Sequence, residues 1–292
     1  MNILKGKTMN VIKNIRALLI VLLVFGLVSC DKIEPPYMNE IDNHNDDDTE
    51  VVRKILLEEF TGHLCPNCPA GKEVSEELKG IYGNRIVVMS IHTGIFARPI
   101  PDGFENDYRT AEGGAIATAF GVNQYPVGMV NRKNFDGSVV LSPSAWGSAV
   151  AEIIEEEPPL RIQIQNSYNS SNRYLEVSLN TTILIEQEGQ YFLSVFLLED
   201  GMISPQKTDN ETDYPDGIIY DYEHNNVLRA AINSTWGEKL TDEGLMSGET
   251  YSKTYSINID ADWDHSNCKV VAFVYNGDSM EVIQTEVKAI IQ

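Results

Sequence analysis

The feature that most constrains the fold is a pair of cysteines, Cys65 and Cys68, which lies between two different sequence patterns. The apolar run from Lys54 to Phe60 predicts a short buried strand. Over residues 69–81 apolar side chains recur every three or four positions, which predicts an amphipathic helix. Unpaired N–H groups at a helix start favour an anion. Cys65 is therefore expected to be an exposed, acidic nucleophile, with Cys68 as its resolving partner.

Two other interpretations of this cysteine pair stay open. The first is a static disulfide without a chemical role. The second is half of a metal site, which is less favoured because a structural zinc site needs four ligands. Only Cys268 and five scattered histidines remain to supply the other ligands, so no metal site is predicted.

Glu59 lies six residues before Cys65, close to the end of the predicted strand. A carboxylate buried beneath the cysteine pair can exchange a proton with it. Side chains alternate between the two faces of a strand, so only one of Glu58 and Glu59 is expected to face inward. The alternation does not tell which of the two it is.

The N-terminus predicts delivery to the cell envelope. Residues 1–29 combine a basic start with an apolar run that is shorter than the ~20 residues of a membrane-spanning helix, which indicates a secretory signal peptide. The signal ends in Leu-Val-Ser-Cys, which resembles a bacterial lipobox, and Cys30 would then carry acyl chains such as palmitate. An ordinary cleavage site before a chance cysteine is the weaker alternative. Residues 30–50 are acidic and predict a disordered tether.

The charge and the remaining cysteine narrow the functional classes. The chain has 43 acidic and 22 basic residues and a net charge of -21, which disfavours nucleic acid as a partner. Disulfides persist outside the cytoplasm, so Cys65 and Cys68 can pair and leave Cys268 single. Cys268 precedes an apolar run that predicts a strand and is expected to be a buried, small apolar side chain.

The segment after the helix continues the pattern of alternating strands and helices. Residues 85–92 predict a second buried strand, and a strand, a helix and a strand at this spacing fit a βαβ unit. A weakly helical pattern follows over residues 108–120. Pro126 then comes at the start of a further strand, where the bond after Tyr125 can be cis, and residues 142–157 predict another helix.

These elements together resemble the thioredoxin fold. In that superfamily a cis-proline faces the dithiol, and the backbone before it pairs with the bound substrate chain. The resemblance implies that Cys65 is the nucleophile, Cys68 the resolving cysteine, Pro126 the cis-proline and Tyr125 the residue beside it. Glu59, followed by a phenylalanine, falls where thioredoxins have a buried aspartate followed by a phenylalanine.

A narrower resemblance covers the chain from about residue 53 to its end. The chain is similar to the 28-kDa outer-membrane-protein-related lipoproteins of Gram-negative bacteria. This resemblance implies an envelope lipoprotein with a thioredoxin-like domain and a β-rich partner domain. The segments that carry it are Glu59-Phe60-Thr61-Gly62, Cys65-Pro66-Asn67-Cys68-Pro69, Tyr125-Pro126, Asn131-Arg132 and His224-Asn225-Asn226-Val227-Leu228-Arg229.

The sequence changes character from Leu160 onward. Short segments in which apolar and polar residues alternate are separated by turn residues, which predicts a β-sandwich of immunoglobulin-like type. A long polar insertion over residues 203–244 contains several aromatic residues, which are expected to hold the insertion against the protein rather than to bind a ligand. Structural hydrogen bonds are likewise the favoured role of His224 and Arg229.

The predicted fold is an α/β thioredoxin-like domain followed by an all-β immunoglobulin-like sandwich. The predicted domains are a lipoprotein signal peptide over residues 1–29, an acidic disordered tether over residues 30–50, the thioredoxin-like domain over residues 51–158 and the β-sandwich over residues 159–292.

The predicted function is thiol–disulfide exchange on envelope proteins, without a cofactor, by a protein held to the membrane through lipid on Cys30. The expected location is the outer membrane, facing the periplasm or the cell surface. Asp31 is an inner-membrane retention signal in some bacteria, so the choice of membrane stays open at this point. The alternative is a non-enzymatic lipoprotein that binds a protein or a glycan. In that case the bond between Cys65 and Cys68 is structural, and Leu64, in place of the usual tryptophan, marks a retired site.

Overall fold

The computed structural model of the chain describes residues 50–101 and 103–291. The predicted signal peptide, the lipidation site Cys30 and the predicted tether up to residue 49 lie outside the described residues. None of the helices in the described ranges has the length and apolar character that crossing a bilayer requires.

The described residues form three α-helices, several single turns of 3₁₀-helix and fifteen β-strands. The helices are α1 (Cys68–Tyr82), α2 (Ala111–Ala119) and α3 (Pro143–Ile153). The strands are β1 (Ile55–Thr61), β2 (Ile86–His92), β3 (Val127–Val130), β4 (Leu160–Asn169), β5 (Tyr174–Ile183), β6 (Tyr191–Glu199), β7 (Met202–Ile203), β8 (Gln206–Lys207), β9 (Ile218–Ile219), β10 (Glu223–His224), β11 (Val227–Ala231), β12 (Glu238–Lys239), β13 (Thr250–Asn258), β14 (Cys268–Asn276) and β15 (Val282–Ala289).

Strand β1 is the centre of the N-terminal part of the structure. It pairs in parallel with β2 and antiparallel with β3. One face of this group carries side chains such as Ile55 and Leu57, which pack against α1 and α3. The other face carries Leu56 and Phe60, which pack against residues of the C-terminal strands. Both faces of β1 are therefore covered, as its continuous apolar run requires.

One mixed sheet runs through most of the described chain. Its strand order is β15-β14-β6-β11-β2-β1-β3, and β12 pairs with the free part of β6. The link between the N-terminal and C-terminal strands is β11, which pairs antiparallel with β6 and joins β2 in parallel where Val227 lies opposite Ser90. Strands from both sides of residue 158 thus belong to the same sheet.

A second sheet consists of β4, β5 and β13, in the order β13-β5-β4. Strands β4 and β5 alternate between buried and more exposed positions and β13 alternates between half-buried and exposed ones, because one face packs on the large sheet and the other faces solvent. The core between the two sheets contains Leu179, Val195 and Cys268. Cys268 is unpaired and buried, as the sequence predicted.

An ion pair between Glu58 and Arg132 lies in the core that joins the N-terminal and C-terminal strands. Arg132 donates from Nε and Nη2 to the two carboxylate oxygens over 2.7 and 2.6 Å, and both side chains are fully buried. The guanidinium also lies 5.1 Å from the ring centroid of Phe273 and 5.6 Å from that of Tyr275. This planar cation therefore connects β1 to the C-terminal strand β14.

The sequence-based prediction is confirmed at the level of a β-rich protein with a mixed sheet and few helices. The two longer predicted helices form with shifted ends: the one predicted over residues 69–81 covers Cys68–Tyr82, and the one predicted over residues 142–157 covers Pro143–Ile153. The strands predicted from alternation after Leu160 all form. The short strand β11 was not predicted, since it lies inside the polar insertion.

Candidate functional site

The cysteine pair lies at the junction of β1 and α1, and Cys65 and Cys68 form a disulfide. Helix α1 begins at Cys68 itself, and Asn67 precedes it as the N-cap. Cys65 was expected at the start of the helix but lies in the preceding turn, where its N–H donates to Gly62 O over 2.9 Å and its carbonyl accepts from Cys68 N over 3.3 Å. Pro69 occupies the first turn of the helix, where a missing N–H is not costly.

The disulfide is buried, which corrects the expectation of an exposed nucleophile. Only 1% of Cys65 and 2% of Cys68 is accessible to solvent. A segment that we call the strap, residues 204–219, lies against the cysteine turn and belongs to the insertion between β6 and β13. Gln206, in the strap, donates from its side chain to Cys65 O over 2.9 Å. The sequence offered no local signal for this cover, because the two residues are 141 positions apart.

The strap makes two further backbone contacts with the turn that holds the cysteines. Lys207 N donates to His63 O over 2.8 Å, and Asp209 N donates to Pro66 O over 3.1 Å. The strap is itself a narrow hairpin in which β8 pairs with β9. The two donors, Lys207 N and Asp209 N, are two residues apart, which is the spacing of amides along one edge of a strand. One edge of an extended chain therefore lies against the turn.

Pro126 faces α1 one turn after Cys68. The bond between Tyr125 and Pro126 is cis, as predicted for this position. A Cβ atom on Gly71 would lie 2.9 Å from Cβ of Pro126 and 3.4 Å from Oε1 of Glu59. The helix, the proline and the carboxyl group therefore meet at Gly71, and the absence of a side chain there makes the close approach possible.

Tyr125 packs against the loop of residues 94–97, which contacts the cysteine turn. Its ring lies 5.8 Å from the ring of Phe96 in an edge-to-face arrangement, and Phe96 O accepts from Leu64 N over 2.8 Å. Partial burial raises the pKa of Tyr125, and the Thr93 hydroxyl opposes that shift. Tyr125 thus supports the loop on the side of the cysteine turn formed by residues 94–97.

Glu59 is buried beneath the start of α1, with 3% of its surface accessible. Glu58 is buried as well, so the expectation that only one of the two faces inward is wrong: both faces of β1 are covered. Burial raises the pKa of Glu59 from 4.5 to about 7, with Lys72 and the Ser75 hydroxyl opposing the shift and Glu76 adding to it. This carboxyl group therefore changes its charge near neutral pH.

Two buried histidines lie beside Glu59. His92 ends β2 and His224 lies in β10, and their ring centroids are 5.4 Å apart. Among the described residues, His92 Nδ1 and His224 Nε2 have no hydrogen-bond partner. Burial lowers the pKa of His224 to about 3 and that of His92 well below its ordinary value, so both rings are neutral. A cavity of about 20 Å³, lined by Glu59, His92, His224 and their neighbours, has room for about one water molecule.

The sequence did not single out His92, although its position was informative. His92 ends a predicted buried strand that is parallel to β1, and it pairs with Thr61, close to the cysteine turn. His224 was assigned a structural hydrogen bond, and the backbone of Ser204 supplies one. Neighbouring parallel strands bring their carboxyl ends together, which is the signal that indicates such a cluster.

The aromatic residues of the insertion are divided between buried and exposed positions. Trp236 packs against the core that the large sheet shares with β1, and its carbonyl accepts from Tyr275 Oη over 2.5 Å. Tyr222 lies 4.8 Å from the ring of His224. Tyr220, by contrast, is largely exposed. The first two thus hold the insertion in place, as expected, and Tyr220 does not.

Arg229 has the structural role that was predicted for it. Its Nε lies 3.2 Å from a carboxylate oxygen of Glu199, and its guanidinium lies 5.0 Å from the ring centroid of Trp263. Across residues 50–101 and 103–291, no three His, Cys, Asp or Glu side chains are grouped so that they could hold a metal ion.

The family model described as outer membrane protein Omp28 matches residues 114–292. The match includes Pro126, the strap and both sheets of the C-terminal half, and it begins after the cysteine pair. No curated protein matches the chain.

Three solved structures match parts of the chain at low sequence identity. HBP35 of Porphyromonas gingivalis matches with a TM-score of 0.60 and 16% identity over 83% of this chain and 76% of its own. A protein of Agrobacterium tumefaciens matches with a TM-score of 0.51 and 12% identity over 84% of this chain and 97% of its own. A domain of the outer membrane lipoprotein Omp28 from Porphyromonas gingivalis has 20% identity and a TM-score of 0.30 over 46% of this chain and 90% of its own.

Proposed function

The chain belongs to the Omp28 family of outer membrane proteins, and we propose that it carries out thiol–disulfide exchange in the cell envelope at Cys65 and Cys68. Membership of the family confirms the outer-membrane location that the sequence predicted. The family match does not include the cysteines. The redox proposal therefore depends on the site itself.

One observation carries the proposal: a titratable carboxyl group and a cis-proline meet the helix that begins at Cys68. Glu59 has a pKa of about 7 because it is buried, and it touches the position of Gly71, which Pro126 also touches. A group with this pKa is protonated or ionised in comparable amounts at neutral pH, which suits a proton donor and acceptor. An inert disulfide needs no such neighbour.

The proposed step uses a thiol of an envelope protein as the reductant. Its thiolate attacks Sγ of Cys65 and forms a mixed disulfide, the bond between Cys65 and Cys68 breaks, and Cys68 leaves with the electron pair. Protonated Glu59 supplies the proton that the Cys68 sulfur takes up. A second thiolate of the same partner then attacks the mixed disulfide and releases Cys65, so that the partner is oxidised and the cysteine pair is reduced. The reverse sequence reduces a partner's disulfide.

The proposal extends to the parts of the chain that frame this site. We propose a thioredoxin-like domain over residues 51–158 and an immunoglobulin-like sandwich over residues 159–292, with β11 of the second domain extending the sheet of the first. The likeness to HBP35 concerns the fold and agrees with this arrangement. Lipid on Cys30 is the proposed anchor, and envelope proteins are the proposed partners.

Turnover of a protein disulfide by the full chain in detergent tests the function. We expect the chain to accelerate reduction of insulin by dithiothreitol, and Cys65→Ser to abolish that acceleration. Cys268→Ala is the matched control, since Cys268 is a buried cysteine outside the site, and it should leave the rate unchanged. Equal rates for the wild type and Cys65→Ser would contradict the proposal.

The burial of both sulfurs favours a second candidate, a lipoprotein that binds an envelope component and uses the disulfide only as a structural link. On that reading, replacing both Cys65 and Cys68 by serine changes stability but leaves partner binding intact. On the exchange reading, Cys68→Ser traps partners on Cys65 as mixed disulfides. Recovery of such adducts from cells, seen as bands that a reductant removes, separates the two candidates.

A further inference from the structure

We infer that the carbonyl groups of the cysteine turn form a docking surface for an extended polypeptide, whose place the strap occupies in the free protein. The inference rests on the proposed function and deepens it, since it names the kind of partner that reaches the disulfide. The partner is a segment of an envelope protein in β-conformation that carries the reacting cysteine.

Three acceptors in the turn define this surface. His63 O accepts from Lys207 N over 2.8 Å, and Pro66 O accepts from Asp209 N over 3.1 Å. The acceptor between them, Cys65 O, accepts from the side chain of Gln206 over 2.9 Å. Two of the three donors are backbone amides two residues apart, which is the spacing along one edge of a strand. Any extended chain offers the same amides, so the surface accepts strands of many sequences.

The strap is held to the remainder of the protein by separate hydrogen bonds and not by a long strand ladder. Within the strap β8 pairs with β9 over two residues each, and beside it β7 pairs with β10 over two residues each. At its start, Ser204 N donates to Tyr222 O over 3.0 Å, and Ser204 Oγ accepts from Tyr108 Oη over 2.9 Å. Such short ladders are marginal on their own. The strap can therefore leave without unpairing any strand of the large sheet, as a local opening does.

Displacement of the strap has a direct consequence for the chemistry. Gln206 is itself almost fully buried and donates to the carbonyl of Cys65, so we expect its removal to open this side of the cysteine turn to solvent. A partner chain that replaces residues 206–209 lies along the same carbonyl groups and brings its own sulfur next to Cys65. Exchange thus requires that a partner compete with the strap, and a small thiol reaches the disulfide while the strap is open.

A single proline substitution in the strap tests the proposed docking surface. Lys207 contributes its backbone N–H, so Lys207→Pro removes the contact with His63 O, and Lys207→Ala is the matched control that keeps it. We expect dithiothreitol to reduce the disulfide of the full chain about tenfold faster in Lys207→Pro than in the wild type, and Lys207→Ala to behave as the wild type. Equal rates in all three proteins would overturn the inference.

A synthetic peptide, Ser-Pro-Gln-Lys-Thr-Asp, copies residues 204–209 and serves as the probe for docking. Added to Lys207→Pro, it should bind and return the reduction rate toward that of the wild type. The same peptide with a methyl group on the backbone nitrogen of its lysine lacks the N–H donor. It should neither bind nor change the reduction rate. If the unmodified peptide leaves the rate unchanged, the turn is not a docking surface.

Hydrogen exchange of the wild type keeps the inference testable if Lys207→Pro does not fold. The amides of Lys207 and Asp209 should exchange at least tenfold faster than the amide of Leu57 in β1, because the strap opens locally. Exchange at the same rate as Leu57 would show that the strap opens only with the whole protein, and this result would overturn the inference. Fast opening with no insulin turnover would count against the proposed function alone.

Discussion

Replacing Glu59 by glutamine should remove a pH dependence from the stability of the protein. Glu59 is buried, and its pKa in the folded protein is about 7, against 4.5 in the unfolded chain. Its carboxyl group therefore binds a proton more tightly in the folded state than in the unfolded state. Ionisation at higher pH then disfavours the folded state.

The magnitude follows from the two pKa values. In the wild type the contribution of Glu59 to the free energy of unfolding is fully favourable below pH 4.5. This contribution weakens as the pH rises to about 7 and levels off above that pH. The difference between the two values corresponds to about 3 kcal/mol. Glutamine stays neutral throughout. The free energy of unfolding of Glu59→Gln minus that of the wild type should therefore rise by about 3 kcal/mol between mildly acidic and mildly basic pH.

Urea unfolding at several pH values between 4.5 and 8 measures this difference. The subtraction cancels the titration of the other acidic residues and any constant effect of the amide. Glu58→Gln is the matched control on the same strand: it breaks the buried pair with Arg132 and should lower stability by about 3–5 kcal/mol. A difference between Glu59→Gln and the wild type that does not change with pH would refute the argument.

Three further outcomes are expected. Gly71→Ala places a Cβ atom 2.9 Å from Pro126 Cβ and should destabilise the protein by about 1–3 kcal/mol in urea unfolding; an unchanged midpoint would contradict the close contact. Arg132→Met should cost about 3–5 kcal/mol because it leaves Glu58 charged and unpaired, and adding Glu58→Met should restore most of that loss; additive losses would be the opposite result. Cys268 should resist maleimide in the native protein, since burial raises the pKa of its thiol to about 12, and modification within minutes would contradict its place in the core.

Much of the secondary structure was predictable because it depends on local patterns. Continuous apolar runs located β1 and β2, and alternation located β4, β5 and β13. The pairing of strands was not predictable in the same way. Strand β11 is five residues long and lies inside a polar insertion, yet it joins β6 to β2 and so connects the two halves of the large sheet. Its role depends on neighbours that are distant in sequence, and periodicity carries no information about them.

The candidate site shows the same division between local and distant information. Along the chain, Glu59 is followed by the cysteine pair and then by Pro126, in an order that resembles that of a known fold. The burial of Glu58 as well depends on Arg132, which a pattern within β1 cannot reveal. The covering of the disulfide depends on Gln206 and its neighbours, about 140 residues further along the chain. The sequence thus predicted which groups are present and missed what covers them.

The energetics of the site bear on the choice between the proposed exchange and a purely structural disulfide. A bridge that closes a loop of four residues stabilises a protein by about 2 kcal/mol in the loop-entropy description. Above neutral pH, the ionised Glu59 beside it opposes folding by about 3 kcal/mol. A structural link would therefore be more effective with an uncharged residue at position 59. The proposed proton-transfer role would account for an acid at this position. On the same proposal the strap must open, because the proton is of use only when a partner's sulfur can reach Cys65.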